Sequence, residues 1–136
     1  MFEAVHIFAV LGTACFMMAL ATVWYSQMLF GKMWMREAKV TPQMIEDAQP
    51  RLYTHMFLTF CSYVVMLTLL SFLVAYAPLL SISPLQAAGL LSVFVAAGAV
   101  APTLFEGKSI YYYFIRIGFY ILFVVLGTAI LQYWPW

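Results

Sequence analysis

The chain reads as four long apolar runs separated by three short polar breaks. The runs are Val5–Leu29, Leu52–Ala77, Leu85–Phe105 and Ile110–Trp134. A bilayer core of roughly 30 Å takes about 20 residues of helix, and each run is at least that long. Apolar residues are continuous along each run, so the alternation expected of barrel strands is missing. In lipid every backbone group must find its partner inside the protein, which a helix achieves within one segment. The pattern predicts an all-α fold, an integral membrane bundle of four transmembrane helices, as one domain over residues 1–136.

The breaks have their own chemistry. Residues 31–51 form the longest, with Lys32, Arg36, Glu37, Lys39, Glu46, Asp47, Pro50 and Arg51. Within it, Thr41-Pro42 has the form of a helix N-cap followed by proline at the first helical position. A short helix over Gln43–Ala48 would then stop before Pro50, with Met33, Trp34, Met35, Met44 and Ile45 on the headgroup layer. A plain continuation of the first span beyond the membrane is the other reading. In the second break, Pro78 and Pro84 remove backbone donors. The third is Glu106-Gly107-Lys108, a tight turn in which glycine can take a positive φ. Leu29-Phe30-Gly31-Lys32 and Leu104-Phe105-Glu106-Gly107-Lys108 echo one another, as a duplicated hairpin would.

Composition narrows the class. The chain is 66% hydrophobic and 8% charged, with net charge +1 and mean hydropathy +0.98. A water-exposed globule carries roughly 25% charged residues, so a soluble enzyme is excluded, and the small net charge excludes a nucleic-acid partner. The basic residues Lys32, Arg36, Lys39, Arg51 and Lys108 all fall in the first and third breaks. The positive-inside rule therefore predicts an inner (plasma) membrane protein with these loops cytoplasmic and both termini on the non-cytoplasmic side. Residues 1–10 carry no Lys or Arg, so the first run is expected to be a retained helix rather than a secretory leader. Cys15 and Cys61 sit in apolar runs and form no Cys-x-x-Cys pair.

The residues Trp24-Tyr25-Ser26 followed by Phe30-Gly31-Lys32-Met33-Trp34-Met35 resemble the end of the first span in a four-helix bacterial membrane family called domain of unknown function 1761. Ala101-Pro102-Thr103-Leu104-Phe105-Glu106-Gly107-Lys108 is similar to that family's Ala-Pro-Thr segment before an acidic or glycine turn. Arg116-Ile117-Gly118-Phe119-Tyr120 resembles a stretch of its last span, with Arg116 where the family usually carries an amide. The resemblance covers nearly the whole chain. It implies a four-span bundle and no established activity.

Candidate chemistry gathers towards the basic side. Counted from Ile110, Arg116 lies six residues into its span, roughly 9 Å deep at 1.5 Å per residue. It either snorkels to headgroups and a lipid phosphate, or forms a buried ion pair or anion site with Glu106, Glu37 or Glu46. Trp24, Tyr25, Trp34 and Tyr111–Tyr113 suit an inner aromatic belt, and Tyr133, Trp134 and Trp136 an outer one. Trp24 and Tyr25 are also placed to line a site near Gln27. The candidate polar site on the cytoplasmic leaflet is therefore Trp24, Tyr25, Gln27, His55, Glu106 and Arg116. His6 and His55 belong to opposite membrane faces, so no metal site is expected, and no cofactor. Ala88, Ser92 and Ala96, with Gly89 beside them, form a helix-packing face used within the monomer or between subunits.

No catalytic set is recognisable. The favoured reading is a non-catalytic structural or accessory subunit whose partners are membrane lipids and a homo-oligomer or larger membrane complex. The alternative is a small transporter or channel with an anion or lipid-headgroup site around Arg116. A proton-coupled carrier needs a carboxylate deep in a span, and the first run offers only Glu3 at its end.

Overall fold

Residues 6–135 are described in the structure, a computed structural model. Glu3, the expected span start at Val5, and the belt residue Trp136 lie outside the described residues. The helices are α1 (Ile7–Trp24), α2 (Gly31–Glu37), α3 (Pro42–Ala48), α4 (Leu52–Tyr76), α5 (Pro84–Gly98), α6 (Val100–Phe105) and α7 (Ile110–Tyr133). Four stretches are long and apolar enough to cross a membrane: α1, the α3–α4 unit, the α5–α6 unit and α7. The protein is an all-α membrane bundle with four candidate spans.

α7 is the hub. It packs against α1, α4, α5 and α2, and it is the most buried of the four spans, whereas the α5–α6 span is the least. Gly12 lies beside Trp134 and Trp24 beside Gly118, so α1 runs antiparallel to α7. Tyr63 meets Phe119 and Phe123 while Leu67 and Leu70 meet Gly127, so α4 runs parallel to it. The Tyr113 hydroxyl donates to the Ala96 carbonyl at 2.7 Å and ties α5 antiparallel to α7. The core between α1, α4 and α7 is filled by Ala9, Val10, Ala14, Met17, Tyr63, Leu67, Leu70, Phe119, Phe123, Val124 and Leu131, and α5 adds Ala88. α4 and α5 meet only sparsely, so α5 stands on α7 as a wall apart from the three-helix core.

Local chemistry explains the joints. Thr41 caps α3 by accepting the Met44 N–H at 3.3 Å, with Pro42 at the first position, so the expected short helix forms in a loop that α1 does not enter. Ser83 and Gln86 form a reciprocal capping box before Pro84 starts α5. Gly107 takes φ +66°, and Gly107 and Lys108 donate back to Leu104 and Thr103 as in a Schellman stop.

Three features depart from the hydropathy pattern. The helix of the first span stops at Trp24, five residues before the apolar run ends at Leu29, because residues 25–30 fold into a turn. The third span breaks at Ala99, because Pro102 has no N–H to give the Gly98 carbonyl. The echo between Gly31 and Gly107 does not extend to structure: Gly31 opens a helix, whereas Gly107 ends one in the left-handed region.

The small-residue face also divides. Ala88 and Ser92 are buried, and the carbonyl of half-buried Ala96 accepts from Tyr113. Gly89 turns away to the exposed side with Ala97, Gly98 and Ala101.

Candidate functional site

The polar end of the bundle is organised by the turn after α1. The Gly31 N–H donates to the Ser26 carbonyl at 2.8 Å, and the Phe30 N–H donates to the Trp24 carbonyl at 3.2 Å. This approach is so close that a Cβ on Gly31 would run into the Tyr25 carbonyl oxygen and lie 2.7 Å from the Ser26 carbonyl carbon. α2 is thereby folded back against α7. Trp24 stacks tilted on Phe30 at 4.6 Å, and Tyr25 meets Trp34 edge-on at 5.6 Å.

Trp24 is more than a belt residue. Its indole N–H donates to the Ile115 carbonyl on α7 at 3.1 Å, and its ring lies against Gly118. A Cβ on Gly118 would stand 3.2 Å from that ring, so the bare backbone there makes room for the indole. Residues from two separate motifs, Trp24 and Gly118, thus meet at one contact. The third motif joins them: the Lys108 ammonium donates to the Ala38 carbonyl at 3.1 Å, at the C-terminal end of α2, where a cation suits the helix dipole. Lys108 also lies 5.7 Å from the centre of the Tyr112 ring. Ser109, with Arg36 beside it, holds the Glu37 carboxyl below the usual carboxylate range. The ion pair of Glu37 is with its neighbour Arg36, at 3.1 Å.

Arg116 is exposed on the α7 ridge formed by Tyr112, Arg116 and Tyr120, spaced four residues apart. It lines an open cleft of about 390 Å³ with Ile117, Tyr120 and Val124 of α7, Met66 of α4, and Val95, Gly98, Ala99 and Pro102 of the α5–α6 wall. The helix break at Ala99 is therefore a wall of the cleft. Tyr25 lies within electrostatic reach of Arg116, Tyr63 and Tyr120. Among the described residues no acid pairs with Arg116, and no hydrogen bond is made by its guanidinium or by the hydroxyls of Tyr25, Tyr63 and Tyr120.

The six residues of the sequence-derived site are not all brought together. Tyr25 lies within electrostatic reach of Arg116, and Trp24 anchors the adjoining turn. Gln27 is exposed in that turn. Glu106 is exposed at the end of α6 and makes no ion pair with Arg116. His55 stands on the first turn of α4, inside a stretch, residues 41–58, that is exposed throughout and stands clear of the bundle. Tyr120 and Pro102 line the cleft with Arg116, and Tyr63 lies within electrostatic reach of Tyr120; none of the three belongs to the sequence-derived site. The i, i+4 spacing of Tyr112, Arg116 and Tyr120 was the available signal for one of them.

Fold and site together define a small four-helix integral membrane protein with a lateral cleft at its basic end. The chain matches the protein family of unknown function DUF1761 over residues 8–132 and belongs to that family, as the motifs around Trp24, Gly31 and Pro102 suggested. Neither the curated proteins nor the solved structures give a match.

Proposed function

We propose that the protein is a non-catalytic accessory component of a membrane assembly, associating with another transmembrane helix through the exposed side of α5. The observation that carries this reading is the row Gly89, Val93 and Ala97 of α5, which recurs every four residues, is exposed along its length and is followed by exposed Ala101 on α6. A Cβ built on Gly89 meets nothing within 4 Å. Glycine inside a helix costs about 1 kcal/mol relative to alanine, and lipid tails offer no packing in return. A second helix does, because small residues let two backbones approach closely. The occupant is a second copy of this chain or another membrane polypeptide, which its mass distinguishes.

Ala97→Leu is expected to shift cross-linked species in the membrane from larger assemblies to the single chain, with the helical circular dichroism unchanged. An unchanged distribution would contradict the reading.

The same account sets the protein in the inner (plasma) membrane with the basic loops cytoplasmic and both termini outside. In a chain whose Cys15 and Cys61 are replaced by alanine, Lys39→Cys is expected to react with an impermeant thiol reagent only in inverted vesicles. Labelling in intact cells instead would overturn this orientation.

A transporter or channel would carry its cargo past Arg116. That reading has less support, since Met17, Leu67, Phe123 and Leu131 fill the centre at 0% exposure. No Asp or Glu lies within α1, α4, α5, α6 or α7.

A further inference from the structure

The cleft over Arg116 has an unusual balance of hydrogen-bonding groups. A guanidinium offers five N–H donors and no acceptor. Tyr120 lines the same cleft, whereas Tyr25 and Tyr63, which interact electrostatically with it, stand outside the lining. None of these groups has a hydrogen-bond partner among the described residues, and no acid pairs with Arg116. Placed in a bilayer, the site sets one positive charge and its N–H donors among mostly apolar walls, so what settles in it must bring oxygen acceptors and negative charge. Leaving a guanidinium without such a partner in lipid is costly.

The walls describe the rest of the occupant. Met66, Val95, Ile117 and Val124 are apolar, and Gly98 and Ala99 leave the α5–α6 side open to an extended chain. The cleft therefore suits an anionic head with hydrocarbon attached, lying about 9 Å from the start of α7 at the helical rise per residue.

We infer that the α4–α5 cleft is a binding site for an anionic phospholipid, with Arg116 and Tyr120 holding its phosphodiester and the apolar walls holding an acyl chain. A free phosphate ion shares the head chemistry but makes no use of the walls. The site is independent of the α5 assembly face, because the two are read on different residues.

Native mass spectrometry of the protein in micelles doped with equal phosphatidylglycerol and phosphatidylcholine tests this, counting lipids retained on species of a single chain. Loss of assembly and loss of lipid then register separately. The unaltered chain is expected to retain phosphatidylglycerol over phosphatidylcholine about tenfold, because the choline ammonium sets a second positive charge beside the guanidinium. Arg116→Gln should abolish that preference, and Tyr120→Phe should lower the retention of phosphatidylglycerol about tenfold, as loss of one hydrogen bond to a charged acceptor would. Tyr120→Phe keeps the ring packing, so it carries the test if Arg116→Gln does not fold. Equal retention of both lipids by the unaltered chain would overturn the proposal. So would an undiminished preference in the folded Arg116 variant or, where that variant does not fold, undiminished retention of phosphatidylglycerol by Tyr120→Phe. Displacement of the lipid by excess inorganic phosphate would reassign the site to a small anion and overturn the lipid.

Discussion

Alanine at Gly31 is expected to detach α2 from α7 and to destabilise the bundle by about 2–3 kcal/mol, the upper part of the range for forcing extra volume into a packed site. The atoms a Cβ would meet are the backbone carbonyls of Tyr25 and Ser26, which cannot step aside as a flexible side chain would. Relief requires opening the turn itself. The hydrogen bonds from Gly31 to Ser26 and from Phe30 to Trp24 would go with it, as would the edge-on contact of Tyr25 with Trp34. Limited trypsin digestion in mild detergent reads the effect directly, because Lys32, Arg36 and Lys39 all lie on or just after α2. Cleavage there should accelerate in Gly31→Ala. Cleavage at the unaltered rate, with unchanged resistance to dodecyl sulfate, would show that the turn accommodates a side chain and that its close approach is not a constraint.

Trp24→Ala is expected to have the larger effect, about 3–5 kcal/mol, the usual cost of removing a large aromatic from a packed site. The indole joins three elements: it stacks on Phe30, it lies 6.3 Å from Phe119, and it donates to the Ile115 carbonyl. Trp24→Phe separates these contributions. It keeps most of the apolar contact but removes the N–H, so it should cost about 1 kcal/mol beyond the lost ring area. Unfolding monitored by dodecyl sulfate titration should rank the unaltered chain above Trp24→Phe and that above Trp24→Ala. Equal stability of all three would mean that Trp24 is only an interfacial anchor.

Much of this architecture was visible in the chain because lipid allows so few solutions. Continuous apolar runs predict spanning helices, and the helices fall where the runs do. Turn chemistry was equally direct at Thr41-Pro42 and at Gly107, where the capping group and the left-handed glycine act within a few residues of themselves. The end of α1 was hidden for a physical reason. Met28, Leu29 and Phe30 are apolar again after Tyr25-Ser26-Gln27, so the apolar run carries on past the point where the helix has stopped. What stops the helix is a backbone approach at Gly31, a tertiary fact. Pro102 was in plain sight, but its consequence, a helix break at Ala99 that forms the wall of a cleft, depends on which side of α5 faces α7.

The site shows the same division. Depth along a span was readable, so Arg116 was placed at the basic end. Depth does not give proximity, however. His55 lies at a similar level but on a part of α4 that stands clear of the other helices, while Tyr63, two turns further on, turns into the core. Glu106 is the nearest acid along the chain and still makes no ion pair with Arg116. Among the described residues the result is a cation without a counter-charge, which no count of residues per leaflet would reveal.

The central functional claim is that this bundle is one part of an assembly. Native mass spectrometry of the protein extracted gently from its own membrane tests it most directly. A species heavier than one 15.5 kDa chain is expected, resolved on dissociation into further copies or other polypeptides. A single chain as the sole species, under conditions that keep known membrane complexes intact, would contradict it.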